Sequence, residues 1–214
     1  MLIRWCMKGI AENPTFGDAE ALAILDSTGI LSAWMRSQAA QPLGAANIAS
    51  QTALSAAALD DHVNDYGSVG ATTPYISLST GCWENVTTGP PGHTPLPPLH
   101  YPAWATAQKF ATDWGSTCGY IFRCWVVVAP DIAAELPGLA DEVRDLNIFH
   151  DLWLYHHEGE VTAKLYVPRR QVQLAIKVDD KGSPTVWADG HHPMRLNAGF
   201  VPPERVGNIL REIW

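Results

Sequence analysis

The stretch Glu158-Gly159-Glu160-Val161-Thr162-Ala163 carries the reading on which the fold of this chain turns. From Glu160 to Val167 apolar and polar residues alternate, and a period of two predicts a strand with one apolar face. On an extended chain, residues two apart project to the same side, so the carboxylates of Glu158 and Glu160 share a face. A second alternation follows over Val172–Val178, joined to the first at Pro168-Arg169-Arg170. Two strands are therefore expected at this end of the chain.

Working outward, Tyr75-Ile76-Ser77-Leu78-Ser79 alternates as well. It places Tyr75, Ser77 and Ser79 on one face and Ile76 and Leu78 on the other. Gly119–Ala129 is almost wholly apolar and is expected to be a central strand. Leu2–Cys6 reads as a short opening strand around Arg4. A helix is expected from Asp18, as N-cap, to a stop at Gly29, with a turn or second short helix over Ile30–Trp34. Ala45–Leu59 reads as a small helix or loop, Asp60–Thr73 as a polar, Gly-rich connection, and Pro102–Trp114 as a helix. Thr87–Pro102 holds six prolines and two glycines and is a long loop. Pro203–Ile213 is expected to be a short helix with Pro in its first turn. Strands mixed with helical insertions indicate an α+β fold and not strict βαβ alternation. The expectation is one domain over 1–214, with a core over 1–178 and a C-terminal extension over 179–214 of open role.

With 214 residues, 47% of them apolar and 17% charged, the chain has the composition of a globular domain and not of a disordered one. Its 17 glycines and 16 prolines imply extensive loops. The longest apolar runs fall far short of the ~20 residues of a membrane span. The net charge is −8, and no Lys or Arg occurs between Arg36 and Lys109. That argues against tight, non-specific nucleic-acid binding, which needs a basic face. The four cysteines, Cys6, Cys82, Cys118 and Cys124, form no CxxC pair and are expected to be reduced. The N-terminus lacks the pattern of a secretory signal, so a cytoplasmic location is expected.

Three features carry the chemistry: Arg4 in an apolar strand, Ser77 and Ser79 on one strand face, and Glu158-Gly159-Glu160 leading into a strand. Singly, each has a plain structural reading: an ion pair, an ordinary strand, a solvated turn. In this order and context, however, they resemble the R-S-E class of ADP-ribosyltransferases, nearest the catalytic A subunits of cholera toxin and heat-labile enterotoxin. Tyr75–Ser79 resembles the class's aromatic-apolar-Ser-Thr-Ser strand, with Leu78 in place of the Thr. Glu158–Ala163 and Val167-Pro168 resemble its Glu-x-Glu-Val-Ser-Ala segment and the Ile-Pro after it. Ile121–Pro130 resembles the apolar strand between those motifs. The likeness covers roughly residues 1–178, and the Pro-rich loop makes the Ser79–Glu158 interval longer than in the toxins.

The resemblance implies an ADP-ribosyltransferase-like fold, two small packed sheets around a cleft for NAD, which is the substrate. It implies that Glu160 stabilises the oxocarbenium-like ribose and binds a ribose hydroxyl. Ser77 would hold Glu160, Ser79 would line the NAD site, Arg4 would pair with phosphate or ribose, and the main chain of Trp5 would bind the nicotinamide amide. Glu158 would meet the acceptor, and Phe149, Trp153 and Tyr155 would contact it. Glu158 and the acidic charge favour a protein arginine over a nucleic-acid base. A toxin-antitoxin, phage-defence or delivered effector role is expected, with an inhibitor protein as partner. An NAD glycohydrolase and an inactive binding module of the same fold are the alternatives. No metal is expected: His156-His157 and His191-His192 lack ligand spacing. No GxSxG elbow marks a serine hydrolase.

Overall fold

The computed structural model describes residues 2–38, 54–80, 82–84, 99–101, 103–128, 140–142 and 160–205. Its centre is a seven-stranded sheet. β1 (Leu2–Ala11) pairs antiparallel with β6 (Gly119–Val128) along its whole length, from Leu2↔Val128 to Ala11↔Gly119. The opening strand thus runs past Cys6, because ten residues of partner strand are available to satisfy its backbone. β10 (Val172–Val178) lies on the other side of β6, followed by β11 (Met194–Leu196). These four strands form one limb of the sheet.

The second limb is β3 (Tyr75–Ser79), β8 (Glu160–Lys164) and β7 (Ala140–Glu142). β7 returns to β6 at Val128↔Ala140, and β3 touches β1 at Met7↔Ser79. The sheet therefore folds back on itself. One core fills the interior, where Cys6, Phe122, Cys124 and Val126 of one limb join Ile76, Leu78 and Val161 of the other. The architecture is α+β, with short helices on a mainly antiparallel sheet. Two further pairings, β2 (Ile30–Leu31) with β9 (Tyr166–Val167) and β4 (Cys82–Glu84) with β5 (Leu99–Tyr101), lie outside it.

Several local expectations change. Asp18 is the first residue of its helix, and Gly17 is the N-cap. The Asp18 carboxylate is recruited elsewhere: it accepts hydrogen bonds from Tyr120, Lys177 and the Ala188 amide. Gly29, at φ 71°, does end this helical run, whose last turn, Ile24–Thr28, is π-helical. Ile30–Leu31 is a strand, and the helix begins only at Ala33. Asp60–Thr73 is largely helical, covered by Ala56–Asn64 and Tyr66–Val69. β8 and β10 do not pair; a 3-10 turn over Arg169–Gln171 carries the chain from one limb to the other. Of the helix expected over Pro203–Ile213, the described part, Pro203–Arg205, is a 3-10 turn, and 206–214 lie outside the described residues. So do 39–53 and most of Thr87–Pro102.

Residues 179–205 are built into the domain. Trp187 is buried beside Tyr120 at 5.2 Å, and its Nε1 donates to Pro193 O. Trp125 Nε1 donates to Val201 O. Among the described residues no helix is long and apolar enough to cross a membrane.

The Ala103–Ala111 helix lies against the sheet where two glycines permit it. A Cβ on Gly9 would stand 1.9 Å from Ala107 O, and one on Gly119 would stand 1.8 Å from Ala111 O. This contact brings the helix to the mouth of the cleft between the limbs.

Candidate functional site

β1 and β3 meet at a single register pair, Met7↔Ser79, and diverge beyond it. A cavity of about 270 Å³ opens at that divergence. Met7, Lys8 and Gly9 form one wall, Ser77–Ser79 and Glu160 another, and Thr106, Ala107 and Phe110 a third. His62 and Tyr66 close the fourth side.

The polar floor follows from strand register. Ser79 is opposite Glu160, and Ser77 is opposite Thr162. Directly opposed residues share a face, as do residues two apart, so all four side chains lie together. Leu78 and Val161 take the alternate face and enter the core. The Glu160 side chain is 13% exposed. Burial pushes its carboxyl above the ordinary range, while a hydrogen bond from Ser77, the charge of Lys8 and a hydrogen bond from Thr162 act to hold it down. The Thr162 hydroxyl donates to Glu160 at 3.3 Å.

His62, on the Ala56–Asn64 helix, completes a directed chain of hydrogen bonds. Its Nδ1 lies 2.9 Å from Thr73 Oγ1 and its Nε2 lies 2.9 Å from Ser77 Oγ. Burial, aided by Lys8, lowers its pKa to about 4, so at neutral pH the ring has one donor and one acceptor. The Tyr75 amide donates to Thr73 Oγ1. Ser77 donates its one proton to the Glu160 carboxylate, so it accepts from His62 Nε2–H, and Nδ1 in turn accepts from the Thr73 hydroxyl. This order satisfies every member and assigns the Nε2–H tautomer. At 4.0 Å from Glu160, a neutral His62 makes no ion pair with it.

Lys8 supplies the positive charge of the cleft. It shares a strand face with Cys6, a core residue, so its stem is buried. Desolvation brings its pKa down to about 8, with Glu160 acting against the shift and Arg36 adding to it. At neutral pH the amine is mainly an ammonium.

Three exposed aromatic rings frame the opening: Tyr66, Phe110 and Trp114. Phe110 and Trp114 meet edge to face at 6.1 Å, and Lys109 Nζ lies 5.5 Å from the Trp114 ring. Apolar walls, flat rings and a polar floor suit a heterocycle joined to a sugar.

The structure places the residues singled out in the sequence unequally. Ser77, Ser79 and Glu160 line one cavity. Arg4 lies opposite Val126, four residues before Lys8, and the strand cation lining the cavity is Lys8. Trp5 lies opposite Trp125, with its ring against Arg123 at 4.4 Å and Phe200 at 6.1 Å; the β1 residues that line the cavity are Met7, Lys8 and Gly9. The reason is register, since the β1–β3 contact falls at Met7 and brings residues 7–9 alongside Ser77–Ser79. Glu158, Phe149, Trp153 and Tyr155 lie outside the described residues. Sequence reading missed Lys8 and His62. Lys8 carried a signal, as a second cation in an apolar strand, whereas His62 sat in a segment read as a connection.

The sequence matches no protein-family model and no curated protein. Among solved structures, the chain is similar to EcPltA at 12% identity and a TM-score of 0.48, covering 93% of this chain and 88% of that one. It is similar to a point mutant of heat-labile enterotoxin at 14% identity and a TM-score of 0.49, covering 92% and 75%. It is also similar to the catalytic domain of the mosquitocidal toxin from Bacillus sphaericus at 11% identity and a TM-score of 0.37, covering 96% of this chain and 58% of that one.

Proposed function

We propose that this cleft cleaves the nicotinamide–ribose bond of NAD and transfers ADP-ribose to a macromolecule. The observation that carries the reading is the shielded Glu160 carboxylate, tied to Ser77 and Thr162 at the floor of a cavity rimmed by aromatic rings. As the C1′–N bond breaks, its electron pair passes to the ring nitrogen and neutral nicotinamide leaves. Positive charge develops on the ribose, and a fixed carboxylate stabilises it more than it stabilises the ground state. The acceptor then bonds to C1′ and loses a proton.

The chain from Tyr75 N–H to Ser77 fixes the Glu160 rotamer before substrate arrives, so little reorganisation is needed in the reaction. Lys8 favours the ionised form that the reaction requires. The exposed faces of Phe110 and Trp114 suit the nicotinamide ring, which is cationic before cleavage and neutral after it. Glu158, two residues before Glu160, favours a protein arginine as acceptor, and a toxin or defence role held in check by an inhibitor protein accords with that chemistry.

The test is incubation of the protein with adenylate-labelled NAD and cell lysate, alongside a Glu160→Gln variant. Nicotinamide release with label in a protease-sensitive fraction, both lost in the variant, is the expected result. Nuclease-sensitive label would move the acceptor to nucleic acid, and free ADP-ribose alone would make the enzyme a glycohydrolase. Absence of nicotinamide release from folded protein would refute the reading.

A further inference from the structure

β6 is flanked by a strand on each side, and Arg123 is the one residue of Gly119–Val128 that is not buried. Its neighbours Phe122 and Cys124 enter the core, so Arg123 stands on the opposite face of the sheet. A row of register partners crosses four strands there: Met7 opposite Arg123, Arg123 opposite Leu174, and Leu174 opposite Leu196. Directly opposed residues share a face, and strands about 4.8 Å apart make the row about 15 Å long.

The row has a bank on either side. On one, the Ala103–Ala111 helix packs on Ile121 and Val178. On the other, the chain after β11 covers Trp125, whose Nε1 donates to Val201 O, and brings Phe200 to 6.1 Å from the Trp5 ring. Between these banks apolar surface reaches solvent: Leu196 is 68% exposed, and Trp5, two residues before Met7, is 38% exposed.

The Arg123 guanidinium lies 4.4 Å from the Trp5 ring, and among the described residues no hydrogen bond or ion pair engages it. A ring contact satisfies none of its five N–H donors. An arginine held on an indole in an apolar row, with its donors open, is set to receive a carboxylate. The row also has the composition of an interface core, where Trp, Met and Arg are enriched and acids are depleted.

We propose that this row is a docking surface for a partner protein, which lays an acidic segment across it. One carboxylate of the partner pairs with Arg123, and apolar side chains on either side of it cover Leu174 with Leu196 and Met7 with Trp5. The charge of the row selects the partner: its cation has no anion of its own, so an acid supplied from outside completes it. A protein segment fits better than a nucleic acid, because one cation among apolar side chains cannot follow a chain of phosphates. Met7 also lines the catalytic cavity, so a segment docked along the row ends at the cleft. The docking is independent of the reaction assigned to that cleft.

The experiment is a selection from a displayed library of random peptides on the immobilised protein, with counter-selection on Arg123→Gln. Recovered peptides are made synthetically, and their affinities for wild type, Leu196→Asp and Glu160→Gln are measured by fluorescence anisotropy. Thermal unfolding checks that each variant is folded, and Leu196 is exposed enough to be changed without loss of the core. The expected peptides carry one Asp or Glu between apolar residues. They should bind about ten-fold or more weakly to Leu196→Asp, lose affinity when the acid is replaced by its amide, and bind Glu160→Gln as they bind wild type. No surviving peptide, survivors without an acid, or equal affinity for Leu196→Asp would overturn the proposal. Sedimentation that shows a dimer of wild type, lost in Leu196→Asp, would make the occupant a second copy of this chain and overturn it as well.

Discussion

Ser77 stands between His62 and Glu160: its Oγ lies 2.9 Å from His62 Nε2, and it hydrogen-bonds the Glu160 carboxylate. The pair Ser77 and Glu160 is diagonal across β3 and β8, so the sheet itself sets their separation. Removing the hydroxyl takes away one of the interactions that hold the Glu160 pKa down. Ser77→Ala should lower kcat for nicotinamide release by about ten-fold to a hundred-fold. It should also move the acid limb of the pH–rate profile upward, because Glu160 must be ionised to act. A profile that loses height without moving would assign Ser77 a packing role only.

Glu160→Gln should reduce nicotinamide release by about a hundred-fold or more, the scale on which removal of a positioned electrostatic group acts. The same change should raise thermal stability at neutral pH. The folded-state pKa of Glu160 is raised, so the native protein binds more protons than the unfolded chain between the two pKa values. Stability therefore falls as pH rises through that window, and an uncharged isostere escapes the loss. Paired melts of variant and wild type at pH 7 and at pH 4 test this: the gain should shrink at the lower pH.

His62 acts with the opposite sign. Its pKa is lowered from 6.5 to about 4, so the unfolded chain binds the extra proton first. Acidification from pH 6.5 towards 4 should cost the wild type on the order of 3 kcal/mol through this residue. Glu160 offsets part of it, and the difference between wild type and His62→Gln isolates the histidine. Denaturant unfolding across this range should give a flatter pH dependence in the variant.

Trp187→Ala should destabilise the fold by about 3–5 kcal/mol, the usual cost of emptying a buried indole. Trp187 is 2% exposed and packs on Tyr120, while its Nε1 bonds Pro193 O. A chain ending at Val178 should fail to fold cooperatively, since β11 and the Trp125–Val201 bond go with it. A native-like melt of that truncated chain would show that 179–205 are an accessory.

Gly9→Ala sets the Ala103–Ala111 helix against β1, with the new Cβ 1.9 Å from a backbone oxygen that cannot rotate away. A loss of about 2–3 kcal/mol is expected. Because Phe110 belongs to that helix, nicotinamide release should fall further than the stability loss alone explains.

The sequence by itself determined the strands at Tyr75–Ser79, Gly119–Val128, Glu160–Lys164 and Val172–Val178, and which residues within each face alike. Ser77 and Ser79 share a face because a strand has a period of two, whatever its neighbours are, whereas the pairing of β3 with β8 sets Glu160 beside them; Gly119–Val128 is central because only a covered strand can be so apolar. Tertiary structure alone decided which cation and which histidine reach that surface. Lys8 lines the cleft because β1 meets β3 at Met7, a long-range register that no local pattern encodes. His62 arrives on a helix whose polar sequence, Asp60-Asp61-His62 with Asn64 and Asp65, reads locally as a connection; burial against Tyr75 and Thr73 makes it a helix and makes its histidine neutral. Strand faces follow from bond geometry within a few residues, whereas charge, protonation and the company a side chain keeps depend on what the rest of the chain removes from water.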